Sequence, residues 1–174
     1  KAGALPIFYA VKSENDEIFY EFIKNKNLDL EKISNYENKN ISGLEYIFRY
    51  SSLNKINILL DNLHNLKLTT KSMDSILTLY CFNKGADVKT LKKIVGILKN
   101  FNAEKYTRDC FGVSPLCHAI MSNYDNFSLI EELLNIGFDP NFLLMYDFTI
   151  LHLLTLYDRL SVKLLNLLLK KGLN

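Results

Sequence analysis

The imidazoles and thiols of this 174-residue chain, which bind metals and serve as bases or nucleophiles, are six: His64, His118, His152, Cys81, Cys110 and Cys117. Cys110, Cys117 and His118 lie close enough in sequence to invite a zinc reading. A structural zinc site normally shows four ligands at characteristic spacings. No Cys-x-x-Cys pair is present to supply them. Cys117 and His118 also suggest a thiol with its base. That pair must face each other in space, and neighbours on one helix diverge by about 100°. Nothing resembles a glycine-rich phosphate cradle or a dinucleotide fingerprint. The expectation is therefore no catalysis, no resident metal and no cofactor.

Charge narrows the partners. Twenty-one basic and 19 acidic residues leave a net charge of +2, with no overall basic footprint for nucleic acid. Lys84, Lys89, Lys92, Lys93, Lys99 and Lys105 form a local basic stretch opposed by Asp87 and Glu104. Such a run reads first as a solvated helix face, and second as a contact for an acidic partner. The most apolar stretch, Val162 to Leu169, is broken by Lys163 and Asn166, far from the ~20 apolar residues that span a bilayer. Membrane insertion is not expected. The odd cysteine count favours a reducing compartment, so a cytoplasmic or nuclear location is expected. There the acceptor triplets beginning at Asn40 and Asn126 carry no weight.

The elements that position these residues are short helices. Hydrophobic residues make up 48% of the chain, enough to form a core rather than a disordered segment. Leucine, asparagine and lysine number 31, 19 and 18, against only 7 glycines and 3 prolines. Two stretches repeat. Asp109, Gly112, Ser114-Pro115-Leu116 and Ala119 precede Leu133-Leu134 and Gly137-Phe138-Asp139. Thr149, Leu151-His152 and Leu167-Leu168-Leu169 with Gly172 follow at an offset of 35 residues. Near the start, Leu5-Pro6-Ile7-Phe8-Tyr9-Ala10 leads into Phe19-Tyr20-Glu21-Phe22-Ile23. Proline suits the first turn of a helix, Ser114 and Thr149 sit where a hydroxyl caps one, and Gly137 and Gly172 sit where a left-handed residue ends one.

These residues resemble the ankyrin repeat: a turn with Asp and Gly, Thr-Pro-Leu-His opening a first helix, and a leucine-rich second helix ending in glycine. The match is strong in the first, fourth and fifth units. It is weak in the second, where Gly43 replaces proline, and in the third, where Gly85-Ala86-Asp87 reads as a lengthened loop between two helices. The resemblance implies an all-α solenoid of about five helix-turn-helix repeats, at 1–36, 37–68, 69–105, 106–141 and 142–174. The last helix is too apolar for a terminal cap, so the chain is expected to be a piece of a longer array. His152 takes the family's histidine position, whose ring hydrogen-bonds the turn.

In that family the concave groove and the hairpin loops hold another protein. Carried onto this chain, the partner-facing residues are Phe111, Val113, Met121, Met145, Tyr146, Phe148, Leu156 and Tyr157, with Cys110 and Ser122 beside them. The equivalent lining of the second repeat is more polar: Asn38, Lys39, Ile41, Arg49 and Tyr50. The resemblance thus implies a non-enzymatic protein-interaction module with no small-molecule substrate. The alternative is a docking portion of a larger enzyme or channel. The degenerate repeats and Asn/Lys/Ile/Leu bias are also similar to the divergent ankyrin proteins of large DNA viruses, especially poxviruses, which implies a host signalling or ubiquitin-ligase partner. AT-rich protozoa and intracellular bacteria share that composition. Inhibitors of NF-kappa-B-type factors are a further comparison.

Overall fold

The computed structural model describes residues 5–25, 27–100, 113–144 and 147–174. Ten α-helices and one β-hairpin lie among them: α1 Pro6–Lys12, α2 Asp16–Ile23, β1 Ile33–Tyr36, β2 Lys39–Ser42, α3 Gly43–Tyr50, α4 Leu53–Asp61, α5 Thr70–Cys81, α6 Val88–Asn100, α7 Pro115–Ser122, α8 Phe127–Ile136, α9 Ile150–Leu156 and α10 Val162–Lys170. Their boundaries follow from caps. The side chains of Asn15, Ser42, Ser52, Thr69, Ser114, Asn126 and Ser161 each accept a backbone N–H from the first turn they precede, occupying donors a helix cannot satisfy internally. Gly137 ends α8 at φ 104°, and its following residue Phe138 donates back to the Leu133 carbonyl at 3.2 Å. Gly172 repeats this closure after α10 at φ 95°, with Leu173 donating to Leu168 at 3.0 Å. Only glycine adopts that backbone without strain.

The fold is mostly helical, and its helices form two rows. Helix α1 contacts α3, α3 contacts α5, α5 contacts α7 and α7 contacts α9. The second row runs α2, α4, α6 and α8, again each touching the next. Within a pair, α1 meets α2, α3 meets α4, α5 meets α6 and α7 meets α8. Helices this short are marginal alone, so packing supplies their stability.

Burial in the second row has a fixed register. Counted from the cap, the third and seventh residues face the preceding pair. They are Lys55 and Leu59 in α4, Thr90 and Ile94 in α6, Leu129 and Leu133 in α8, and Leu164 and Leu168 in α10, all buried. The direction is set by hydrogen bonds: the Lys55 ammonium donates to the Val11 carbonyl at 2.8 Å and to that of Ser13, and Asn57 on α4 donates to the Thr90 hydroxyl at 3.2 Å. The fourth and eighth residues face the following pair, as Phe19 and Ile23 do in α2 and Ile130 and Leu134 in α8.

A polar ladder joins the pairs on one edge. The Asn83 amide donates to the carbonyls of Phe48 and Ser51, both at 3.0 Å. The Asn123 amide donates to those of Cys81 and Asn83, at 3.1 and 2.9 Å. Each caps the C-terminal end of the preceding first-row helix, where carbonyls have no partner within the helix. The lengthened loop between α5 and α6 is pinned by Tyr80, whose buried hydroxyl donates to the Asp87 carbonyl at 2.9 Å and accepts the Asp87 N–H at 2.7 Å.

An all-α reading overlooks the hairpin. Ile33 pairs with Ser42, Ser34 with Ile41, Asn35 with Asn40 and Tyr36 with Lys39. Its two-residue turn holds Glu37 and Asn38 at φ 50° and 63°, the left-handed pair that matches the strand twist. Ile41 is buried at 4% exposure, because alternate strand residues face opposite sides. It belongs to the core and leaves the lining expected for the second repeat.

Candidate protein-binding surface

Aromatic residues gather around the hairpin and the first-row helices α1 and α3. Phe8 on α1 is buried and stacks on Tyr36 of β1 with ring centroids 4.5 Å apart. Tyr36 meets Tyr46 of α3 edge-on at 5.4 Å, and Tyr46 meets Tyr50 one turn on at 5.2 Å. Tyr9 closes the other end, edge-on to Tyr36 at 6.0 Å. Edge-to-face and offset pairs are the arrangements that aromatic quadrupoles favour. Tyr36 and Tyr46 are buried, whereas Tyr9 and Tyr50 are 63% and 49% exposed. The string thus has a fixed middle and two wet ends.

Cations lie on the same rings. The Lys12 ammonium sits 5.4 Å from the Tyr36 ring centre and pairs with the Glu37 carboxylate. That carboxylate, and next the Tyr36 hydroxyl, hold Lys12 above the ordinary lysine range. Lys39 lies 5.0 Å from the Tyr50 ring centre. Further along the row the Arg49 guanidinium covers Phe82 at 3.9 Å, and Phe82 packs against His118 at 3.9 Å. Arg49 also pairs with Glu45 at 3.2 Å. Cation–aromatic contacts of this kind stabilise by about 0.5–1 kcal/mol at exposed sites, and they hold long side chains flat against the surface.

The residues expected to face a partner in the fourth and fifth units are distributed differently. Phe111, Met145 and Tyr146, with Cys110, lie outside the described residues. Val113 is half-buried immediately before the Ser114 cap, and Met121 and Ser122 are half-buried in the last turn of α7. Phe148 is exposed, with its ring 5.3 Å from that of His152. Leu156 and Tyr157 are 67% and 53% exposed at the far end of α9. Phe148 precedes this helix and Tyr157 follows it, so roughly 13 Å of helix axis separates them. His152 accepts the Thr149 N–H on Nδ1 at 3.1 Å, and its ring nitrogen lies 2.9 Å from the Thr149 hydroxyl. The imidazole therefore braces the start of α9.

The sulfur and imidazole groups are placed for packing. Cys81 and Cys117 are both buried, and burial pushes the Cys81 thiol up, away from the reactive thiolate. The Ser114 hydroxyl donates to the Cys117 sulfur at 3.4 Å. Among the described residues no three His, Cys, Asp or Glu side chains converge on a point where a metal could sit. No helix there is long and apolar enough to cross a membrane.

The tyrosine string was the part of this surface that the sequence concealed. Tyr46 and Tyr50 are four residues apart on one helix, a spacing shared by core positions. Lys39 and Tyr50 read as an ordinary polar lining. Only the strand register, with Tyr36 opposite Lys39, brings the four tyrosines together. No protein-family model, no curated protein and no solved structure matches this chain.

Proposed function

We propose that the chain is a non-enzymatic protein-binding module, an ankyrin-type array of about five helix-turn-helix repeats whose first-row helices and connecting loops hold another protein. The alternating contacts of the two helix rows, the proline-opened helices α1 and α7, and the His152 brace on Thr149 support the array. The observation that carries the binding role is the tyrosine string with lysines laid on its rings. Folding requires the buried Tyr36 and Tyr46, but it does not require exposed rings at Tyr9 and Tyr50. Exposed aromatic residues beside cations are the composition that interface centres favour. Phe148, Leu156 and Tyr157 extend the same character to α9. The Asn/Lys/Ile/Leu bias supports a viral or other pathogen factor acting inside a host cell on a signalling component.

The test has two stages. Affinity purification from host cells with mass spectrometry identifies a partner, which is then made pure. Tyr9→Ala with Tyr50→Ala, and separately Leu156→Ala with Tyr157→Ala, are titrated against it by calorimetry. Aromatic anchors lose ≥2 kcal/mol on truncation, so at least one double variant should bind about 30-fold more weakly. Melting temperature should change little, since all four side chains are exposed. Unchanged affinity in both folded double variants would place the interface elsewhere.

A further inference from the structure

The outward side of α6, in the middle of the second row, carries charge that the fold does not use. Lys89, Lys92, Gly96 and Lys99 are exposed, and their 3-4-3 spacing places them within about 80° of the helix circumference. Thr90, Leu91, Ile94 and Leu98 are buried on the other side. The helix contains no carboxylate, so none of the ion pairs along a helix that offset such a run is present. Lys92 reaches Glu132 of α8 at 3.5 Å, and Lys93, half-buried beside the stripe, reaches Asp61 of α4 at 2.8 Å. Among the described residues Lys89 and Lys99 have no ion-pair partner. Lys89 is the second residue of α6, where the partial positive charge of a helix N-terminus disfavours a cation.

Gly96 lies on the same stripe, between Lys92 and Lys99. Apart from proline, glycine is the least favourable residue for a helix interior. Among the described residues nothing lies within 4 Å of the point where a Cβ would stand, and the backbone there is ordinary α-helix. Neither packing nor backbone geometry within the chain calls for a glycine. What it leaves is a gap in the row of side chains, through which another chain can come close to the helix.

We propose that the α6 stripe is a second protein-binding surface, separate from the tyrosine string of the first row, and that it holds an acidic helical segment of a partner protein. Carboxylates at the same 3-4-3 spacing on the partner helix face Lys89, Lys92 and Lys99, which span about 15 Å of axis. The gap at Gly96 admits the side chain that would otherwise meet a fourth one. Broader polyanions fit less well. Neighbouring helix axes lie about 8–10 Å apart, and Asp61 of α4 and Glu132 of α8 flank the stripe on its two sides. A nucleic acid duplex or an anionic bilayer, wider than one helix, would set its phosphates against those carboxylates. A single acidic segment laid along α6 meets the lysines alone.

Fluorescence anisotropy with the full 174-residue chain tests this. The probe is a labelled alanine-rich peptide of about 18 residues, long enough to be helical, with Glu at i, i+3, i+7 and i+10. That pattern reads alike in both chain directions. The probe should bind saturably at low salt and weaken as screening shortens. A peptide with the same Glu residues spread around the helix should bind far more weakly. Lys89→Gln with Lys99→Gln removes two exposed pairs and should weaken the probe about tenfold, with circular dichroism unchanged. Gly96→Gln should raise the melting temperature, because glutamine is the better helix former, and yet weaken the probe, a combination that a merely solvated face would not show. Lys89→Glu with Lys99→Glu should reject the probe and accept the peptide whose first and last Glu are replaced by Lys. Absence of saturable wild-type binding, unchanged affinity in the glutamine pair or in Gly96→Gln, or failure of the charge swap overturns the proposal. So does tighter lysine-dependent binding of duplex DNA or of phosphatidylserine vesicles, which would assign the stripe to a different polyanion. Tyr9→Ala with Tyr50→Ala should leave the probe's affinity unchanged, so this surface and the first-row surface fail separately. A loss there would move the peptide to the first row and overturn the proposal.

Discussion

Asn123 offers the sharpest test of how the helix pairs are held. Its side chain is 3% exposed, and its amide donates to the Cys81 and Asn83 carbonyls at 3.1 and 2.9 Å. Both acceptors lie at or just past the end of α5, where the helix carries a partial negative charge. Asn123→Ala removes two hydrogen bonds worth about 1 kcal/mol each and takes the side-chain donor from the buried Cys81 carbonyl, while the Asn83 carbonyl keeps the Ala86 N–H at 3.0 Å, so the loss is about 2–4 kcal/mol. Asn123→Asp keeps the shape but offers only acceptors to two acceptors at a negative helix end. It should therefore destabilise more than alanine does. That order inverts the usual expectation that the nearer isostere is the milder change.

Urea unfolding followed by circular dichroism at 222 nm reads the effect. With a slope of about 2 kcal/mol per molar urea, the alanine midpoint should fall by about 1–2 M. The aspartate variant should be restored partly at acid pH, where its carboxyl becomes protonated and regains a donor. If aspartate is no worse than alanine at pH 7, or if both lie within about 0.5 kcal/mol of wild type as surface changes do, the ladder does not hold the pairs together.

Two further outcomes follow from burial and charge. Leu168→Ala should cost about 2–5 kcal/mol, because its fully buried side chain faces the preceding pair, whereas Leu169→Ala should cost well under 1 kcal/mol. Equal losses in chemical denaturation would contradict the register. Glu31 accepts the Thr69 N–H at 2.5 Å. Burial raises its carboxyl, but that bond and the Ser72 and Thr69 hydroxyls outweigh it and hold the group below the usual range. A carboxyl lowered on folding stabilises above its unfolded value of about 4.3, and this contribution fades as pH falls through the folded value. The stability gap between wild type and Glu31→Gln should thus be present at pH 7 and close toward pH ~3. A gap that stays constant with pH would mean that the carboxylate is not stabilised by its contacts.

Much of the helix pattern was legible because its signals are local. Pro6, Pro115 and the Ser and Thr caps mark starts, and Gly137 and Gly172 mark ends, each by backbone geometry that few residues satisfy. The rest depended on register and long-range pairing. Read as a terminal helix, α10 suggests that Leu168 packs less well than Leu133. One residue of helix register decides otherwise: Leu168 faces inward and Leu169 outward. The hairpin was hidden because Glu37-Asn38 lacks the glycine that usually marks a left-handed turn. Nothing local marks Asn83 and Asn123, because their acceptors lie 32 to 42 positions away.

The distribution of cohesive contacts bears on where a partner can sit. The second row is held largely by buried apolar residues, by the buried Lys55 and Thr90 with their hydrogen bonds, and by ion pairs such as Lys93 with Asp61 at 2.8 Å. The edge ladder is held by buried amides. First-row positions that take part in neither are released from any folding requirement, and Tyr9, Tyr50, Leu156 and Tyr157 are among them. Large groups there bury only part of their surface in the fold, since each remains about half exposed or more. Tyr36 and Tyr46 differ: they are buried, and they fix the orientation of their exposed neighbours through ring contacts of 5.2 to 6.0 Å. Exposed rings held in fixed orientations lose little entropy when a partner covers them, which is the condition under which aromatic surface yields affinity.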